Sequence, residues 1–120
     1  MLRLPGVLNN LAYMLANEMN QPALALPHIE RAMAISDQIP EFIDTYGYLL
    51  WKAGRLDEAE TALLRSLRIR PSALANYHLA EVLAAQGNPA QARTAIQQAR
   101  GLDPDPELAA SIEDLEQRIR

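Results

Sequence analysis

Hydrophobic side chains recur along the chain with the spacing of amphipathic helices. Within the stretch 40–71 they form two groups: Phe42, Ile43, Tyr46, Gly47 and Leu50, then Leu56, Ala59, Leu63 and Leu67. Steps of three and four residues place each group on one face of an α-helix. Gly54 stands between the groups, and glycine readily adopts the left-handed conformation that ends a helix. The stretch therefore predicts a helical hairpin, which Pro71 terminates.

The same pattern recurs on both sides of this hairpin. Positions 33 residues apart carry matching residues, namely Gly54 and Gly87, Ala59 and Ala92, and Pro71 and Pro104. Towards the N-terminus the spacing is 34 residues from Ala25 to Ala59 and 35 from Ala12 to Gly47. The first unit therefore has one extra residue in its turn. We predict three units at about 6–39, 40–72 and 73–105, followed by a last helix at about 106–119.

Individual residues predict how some of these helices begin, bend or end. Asn20 stands where the later units have glycine, and we expect it to be left-handed. The second helix should run over about 22–36 and be bent or frayed at its start, because Pro27 lacks the N–H that would bond to Ala23. The last helix opens at Asp105 and has one narrow apolar stripe, which is typical of a helix that caps a stack.

A single hairpin of this length cannot bury the apolar faces of both its helices, but stacked hairpins can. The small residues Gly47 and Ala59 would let paired helices approach closely. The sequence therefore predicts an all-α solenoid of about seven helices, forming a single domain over residues 1–120.

Composition limits the function further. The 120 residues are 49% hydrophobic, carry a formal charge of −4 and include no cysteine. The negative charge argues against nucleic acid as a partner, and no apolar run is long enough for membrane insertion. We expect a cytoplasmic chain, or a periplasmic or secreted one if it is part of a longer protein.

The spacing of large and small residues resembles the tetratricopeptide repeat. The second unit reads Ile43-x2-Tyr46-Gly47-x2-Leu50, then Ala59-x3-Leu63, then Pro71, and the other units follow it except at Asp37 and Asn76. The segments NNLAYML and DTYGYLLWKAGR are similar to the terminal repeats of long bacterial members of this family. The resemblance implies stacked antiparallel helix pairs with a concave groove that binds a peptide or helix of another protein. The uncapped N-terminal edge would either continue an array or form a homo-oligomer.

Helical periodicity then indicates which side chains would face the groove. The candidate partner-binding residues are Asn9, Tyr13, Asn17, Glu41, Asp44, Tyr48, Trp51, Lys52, Tyr77 and Glu81. The aromatic members are either interface anchors or ordinary packing between repeats. The three acids Glu41, Asp44 and Glu81 either favour a ligand with Lys or Arg or are a solvated face.

Catalytic chemistry has no support in the sequence. His28 and His78 have no partner at metal-ligand spacing, so both are interpreted as structural, and no metal or cofactor is expected. We therefore predict a non-catalytic adaptor or scaffold. The alternatives are self-association or a place in a longer array, RNA binding by a helical repeat, which the negative charge opposes, and an enzyme.

Overall fold

The computed structural model describes residues 5–17, 19–36 and 38–119, so Asp37 lies outside the described residues. Within those ranges the chain forms seven helices and no strand. They are α1 (Pro5–Asn17), α2 (Pro22–Ile35), α3 (Pro40–Lys52), α4 (Leu56–Ile69), α5 (Ala73–Ala85), α6 (Pro89–Arg100) and α7 (Pro106–Arg118).

Consecutive helices pack as hairpins, α1 with α2, α3 with α4 and α5 with α6. Each hairpin also contacts the next one, because α2 packs on α3 and α4 packs on α5. The first helices of the hairpins lie side by side, and α7 packs on both α5 and α6. The resulting solenoid measures 49 × 25 × 25 Å. The prediction of an all-α solenoid with seven helices is confirmed.

Left-handed residues end the first helix of every hairpin. Gly54 has φ of 81°, Gly87 has φ of 82°, and Asn20 has φ of 51°. Glycine adopts this conformation without the Cβ clash, and asparagine is among the residues that tolerate it best. The expectation for Asn20 is confirmed.

The turn of the first hairpin is one residue longer than the other two. In the second and third hairpins a backbone hydrogen bond spans five residues, from Arg55 N to Leu50 O (2.8 Å) and from Asn88 N to Leu83 O (2.9 Å). In the first hairpin the equivalent bond spans six, from Gln21 N to Leu15 O (2.9 Å). The extra residue is therefore accommodated inside the turn, and the carbonyl at the helix end is still satisfied.

The second helix begins at Pro22 and runs without interruption to Ile35, with Pro27 inside it. Pro27 and Ala23 are both exposed, so water can reach the carbonyl of Ala23 that has no N–H partner. The last helix begins after Asp105, whose carboxylate accepts a hydrogen bond of 2.8 Å from Leu108 N.

Small residues lie where paired helices meet. Ala12, Ala25, Ala59, Ala80 and Ala92 are completely buried. Larger side chains such as Ile29, Ile43, Leu63 and Ile96 fill the space around them and are also fully buried. This alternation of small and large residues allows close helix packing without voids.

Candidate functional site

The first helices of the hairpins and the terminal helix α7 enclose a groove of about 670 Å³. This inner groove is lined by Tyr13, Asn17, Tyr48, Trp51, Lys52, Leu74, Tyr77, His78, Asp105, Glu107, Leu108 and Ser111. Its size is in the range of sites that bind small molecules or short peptide segments.

Aromatic rings form a continuous row across three successive hairpins. The rings of Tyr13 and Tyr48 are stacked, with centroids 4.9 Å apart and planes 3° from parallel. The ring of His78 follows at 4.8 Å from Tyr48, and Tyr77 lies 5.9 Å beyond it. Trp51 packs edge-on against Tyr48 at 5.7 Å. Rings held by other rings lose little entropy when a ligand covers them, so the groove floor is preorganised.

The His78 ring of this floor is held by a buried polar contact. His78 Nδ1 and Asp44 Oδ1 are 2.8 Å apart, and their residues are only 2% and 6% exposed. Asp44 therefore does not face a ligand, because its carboxylate is used inside the protein. His78 is structural, as the sequence indicated, but it also lines the groove, which its pattern did not reveal. The only sequence signal for the contact between Asp44 and His78 was one polar residue in each of two neighbouring repeats, 34 residues apart.

Glu81 is likewise engaged inside the protein. It is 8% exposed, and its Oε2 accepts hydrogen bonds from the Tyr77 hydroxyl (2.6 Å) and from the Arg118 guanidinium (2.9 Å). Arg118 also bonds to Asp114 at 3.1 Å. Glu81 thereby ties α5 to α7 and does not line the groove.

Two other candidates from the sequence also lie outside the groove lining. Glu41 is exposed and forms an ion pair with Arg70. Asn9 is half-buried, and its Oδ1 has no hydrogen-bond partner among the described residues. The structure thus brings together Tyr13, Asn17, Tyr48, Trp51, Lys52 and Tyr77 and leaves Asn9, Glu41, Asp44 and Glu81 apart. Asp44 and Glu81 are buried and Glu41 is paired with Arg70, so these three acids do not form one exposed acidic surface along the groove.

The phenol groups of the floor are held in the protonated form. Burial raises the pKa of Tyr13, and the nearby charge of Asp44 raises it further. Burial also raises the pKa of Tyr48, against the opposing effect of its hydrogen bond to the Asn17 side chain. For Tyr77, burial and the bond to Glu81 act in the same direction. Neutral hydroxyls present apolar rings with polar tips, which suits them to peptide contacts.

Lys52 is the basic side chain at the mouth of the groove. Its Nζ lies 4.7 Å from the Trp51 ring centre and 5.5 Å from that of Tyr48. Rings attract a cation only weakly at an exposed site. The ammonium therefore remains able to bind an anionic group.

The sequence predicts a capping role for α7 but does not indicate that this helix also forms a wall of the groove. It contributes Asp105, Glu107, Leu108 and Ser111 to the lining. Its buried residues Ile112 and Leu115 match the predicted apolar stripe. Helical periodicity identified that stripe but could not show that the adjoining turn bends round to face α3 and α5.

The described residues offer nothing for metal chemistry, since none of their His, Asp and Glu side chains form a cluster suited to a metal ion. Nor does any helix within those ranges have the length and apolarity to cross a membrane.

A sequence model of the tetratricopeptide repeat matches residues 47–107. A search of curated proteins found no match.

Several solved structures share the fold. YrrB, described as a tetratricopeptide repeat protein with an unusual peptide-binding site, superposes with a TM-score of 0.78 and 26% identity, over 94% of this chain. The chain spans 58% of the length of that protein. The type III secretion chaperone SycD of Yersinia enterocolitica, solved with a peptide of the translocator YopD, gives a TM-score of 0.80 at 18% identity, covering 95% of this chain and 90% of SycD. An O-GlcNAc transferase of Thermobaculum terrenum gives 0.73 at 23% identity, covering 96% of this chain and 23% of the enzyme.

Proposed function

The chain belongs to the tetratricopeptide repeat family, and on that basis we propose that it is a non-catalytic adaptor that binds a segment of a partner protein in its inner groove. The contact residues in this proposal are Tyr13, Asn17, Tyr48, Trp51, Lys52 and Tyr77, together with the α7 wall. The cytoplasm is the proposed location.

The aromatic row is the observation that carries this proposal. Tyr13, Tyr48 and Tyr77 come from three different hairpins, yet their rings and that of His78 form one row along the lined groove. Aromatic anchors in preformed grooves are the usual hot spots of protein interfaces.

The similar structures support the same function. YrrB is described as having a peptide-binding site, and SycD was solved with a bound peptide. Those ligands belong to those proteins, and the low identity means that their contacts do not transfer residue by residue.

The test begins with selection of peptides from a displayed library of random twelve-residue sequences against the full chain. Selected peptides are labelled and titrated by fluorescence anisotropy, and the emission of Trp51, the only tryptophan, reports groove occupancy. We expect Trp51→Ala, followed by anisotropy alone, to weaken binding by about thirtyfold, because this half-buried ring lines the groove and truncation of an aromatic hot spot costs ~2 kcal/mol.

Two further variants separate groove occupancy from folding. Ser111→Trp fills the groove without removing a core side chain and should abolish binding. Ala110→Trp, on the same helix but exposed and outside the lining, should not. Full affinity in both Trp51→Ala and Ser111→Trp, with unchanged helicity, would refute the groove.

Self-association is the second candidate, and one observation favours it. Of the nine large hydrophobic side chains exposed among the described residues, five belong to the first hairpin: Val7, Met14, Met19, Leu24 and Ile35. Sedimentation from micromolar to millimolar concentration tests it. A monomer throughout that range excludes a homo-oligomer through this edge.

A further inference from the structure

The charges inside the inner groove are distributed unequally between its two sides. Lys52 lies on α3, whereas Asp105 and Glu107 lie at the start of α7 on the opposite side of α5. The contacts run from α3 to α5 and from α5 to α7, so one helix separates the two charged sides.

Lys52, Asp105 and Glu107 are also the charged groups of this region that remain available to bind a ligand. The carboxylates of Asp44 and Glu81 are hydrogen-bonded inside the protein. By contrast, neither Lys52 nor the carboxylate of Glu107 has an ion-pair partner among the residues that the structure describes. Asp105 uses Oδ1 to cap α7, and its second carboxylate oxygen has no hydrogen-bond partner within the described ranges.

From this arrangement we propose that the groove selects an extended segment with both an acidic and a basic side chain, separated by apolar residues. The acidic side chain binds Lys52, the basic one binds Glu107 and Asp105, and the apolar residues cover the half-buried rings of Trp51 and Tyr77. The proposal rests on the proposed function, because it specifies which segments the same groove would bind.

The helix spacing determines the separation of the two charges in the ligand. Neighbouring helices pack with axes about 8–10 Å apart, so α3 and α7 are separated by roughly 16–20 Å. An extended chain advances about 3.3 Å per residue. Lys52 is in the last turn of α3 and Glu107 in the first turn of α7, which makes the path oblique. The path is longer than the distance between the helix axes, but the charged side chains of the protein and the ligand span part of it, so the two charged residues of the ligand should be about six positions apart.

An extended segment reaches both charged sides with the fewest residues, because it advances about 3.3 Å per residue against about 1.5 Å for a helix.

Each of these charges also has a simpler role, because Lys52 ends α3 and Glu107 begins α7, where they offset the dipoles of their own helices. That role predicts an effect on stability but none on which ligand is preferred. The two explanations therefore differ in a measurable way.

The experiment uses pools of blocked ten-residue peptides on the immobilised full chain, with retention measured by mass spectrometry. Two positions six apart are fixed as Glu and Lys in either order, as two Glu, as two Lys or as two Gln. Aliphatic and aromatic residues are randomised between them. We expect the mixed-charge pools to be retained about tenfold above the like-charged pools at low salt, since each exposed ion pair changes affinity a few-fold. The difference should shrink in 0.5 M NaCl, because salt screens exposed charges.

Reversing one of these charges in the protein should change which peptide pool is retained best. Lys52→Glu should favour the pool with two Lys, and Glu107→Lys should raise retention of the pool with two Glu. Arg68→Glu and Glu30→Lys make the same changes in net charge on the exposed surface of α4 and α2 and should leave the order unchanged.

The outcomes separate the two proposals. Equal retention of the Gln and mixed pools, both abolished by Ser111→Trp, would overturn charge selection and leave groove binding intact. No pool retained above the level of Ser111→Trp would overturn peptide binding by the groove and, with it, the selection.

Discussion

A Cβ atom added to Gly47 would lie 2.7 Å from Cγ of Leu63 and 2.8 Å from its Cδ2. Gly47 is on α3 and Leu63 on α4, so the glycine marks the closest approach within the central hairpin. Leu63 is completely buried and cannot move outward into solvent.

We therefore predict that Gly47→Ala destabilises the protein by about 1–3 kcal/mol through overpacking, despite the better helix propensity of alanine. Urea unfolding followed by circular dichroism measures this. Gly101→Ala is the control, because its nearest contact would be an ordinary 3.6 Å to Gln98 O. Combining Gly47→Ala with Leu63→Ala should cost less than the sum of the two changes. A Gly47→Ala variant as stable as the wild type would contradict this packing.

The second prediction concerns the buried pair of Asp44 and His78 at the groove floor. Asp44→Leu leaves the ring nitrogen of His78 buried without its partner, and we expect a loss of about 1–3 kcal/mol. His78→Phe alone strands the carboxylate of Asp44 in the same way. The double variant should recover part of the loss, because neither polar group remains. Denaturant titrations of the four proteins form the cycle, and strictly additive losses would mean that the pair is not coupled.

The third prediction concerns the attachment of α7. Arg118→Ala removes one of the two donors to the buried carboxylate of Glu81. Hydrogen exchange at the amides of α7 should accelerate several-fold, while that of α3 and α4 stays unchanged, since contacts in a repeat stack are local. Arg93→Ala is the matched control, because among the described residues its guanidinium makes one long bond, of 3.4 Å, to the Ile119 carbonyl. Equal protection of α7 in Arg118→Ala and the wild type would exclude this role.

The fourth prediction is a loss of stability at alkaline pH. The folded-state pKa values of Tyr13, Tyr48 and Tyr77 are raised from the ordinary 10.0, so the folded protein holds these protons more tightly than the unfolded chain. The free energy of unfolding should thus be constant below about pH 9 and fall as pH rises above 10, by at most ~1.4 kcal/mol per pH unit for each tyrosine.

Urea unfolding at pH 8 to 11 measures this effect. The background should be Lys52→Arg, which removes the only lysine of the sequence. Tyr13→Phe should make the decline shallower. A stability that stays flat up to pH 11 would show that the phenols ionise equally in the folded and unfolded chain.

The fold was predictable because its signals are local. Gly54, Gly87 and Asn20 end helices through their own backbone preferences, and Ala59 and Ala92 mark close packing by their size alone. Each of these features depends on neighbours within one hairpin. A period of 33 to 35 residues then extends the arrangement to the whole stack.

The groove was only partly predictable because its shape depends on how successive hairpins are rotated. Helical periodicity places Asp44 and Glu81 on the groove side of their helices. It does not show that His78 and Arg118 from neighbouring elements lie against them. For the same reason Asp105 and Glu107 were assigned to a cap, although the rotation between hairpins brings them to the opposite wall of the groove.

The row of rings from Tyr13 to Tyr77 has a consequence for engineering. Each hairpin adds one inner helix to the row, so duplicating the central unit, residues 40–72, would lengthen the binding surface by one helix spacing of about 8–10 Å. That corresponds to roughly three more residues of extended ligand. The number of hairpins would therefore determine the length of extended peptide that the groove can accommodate.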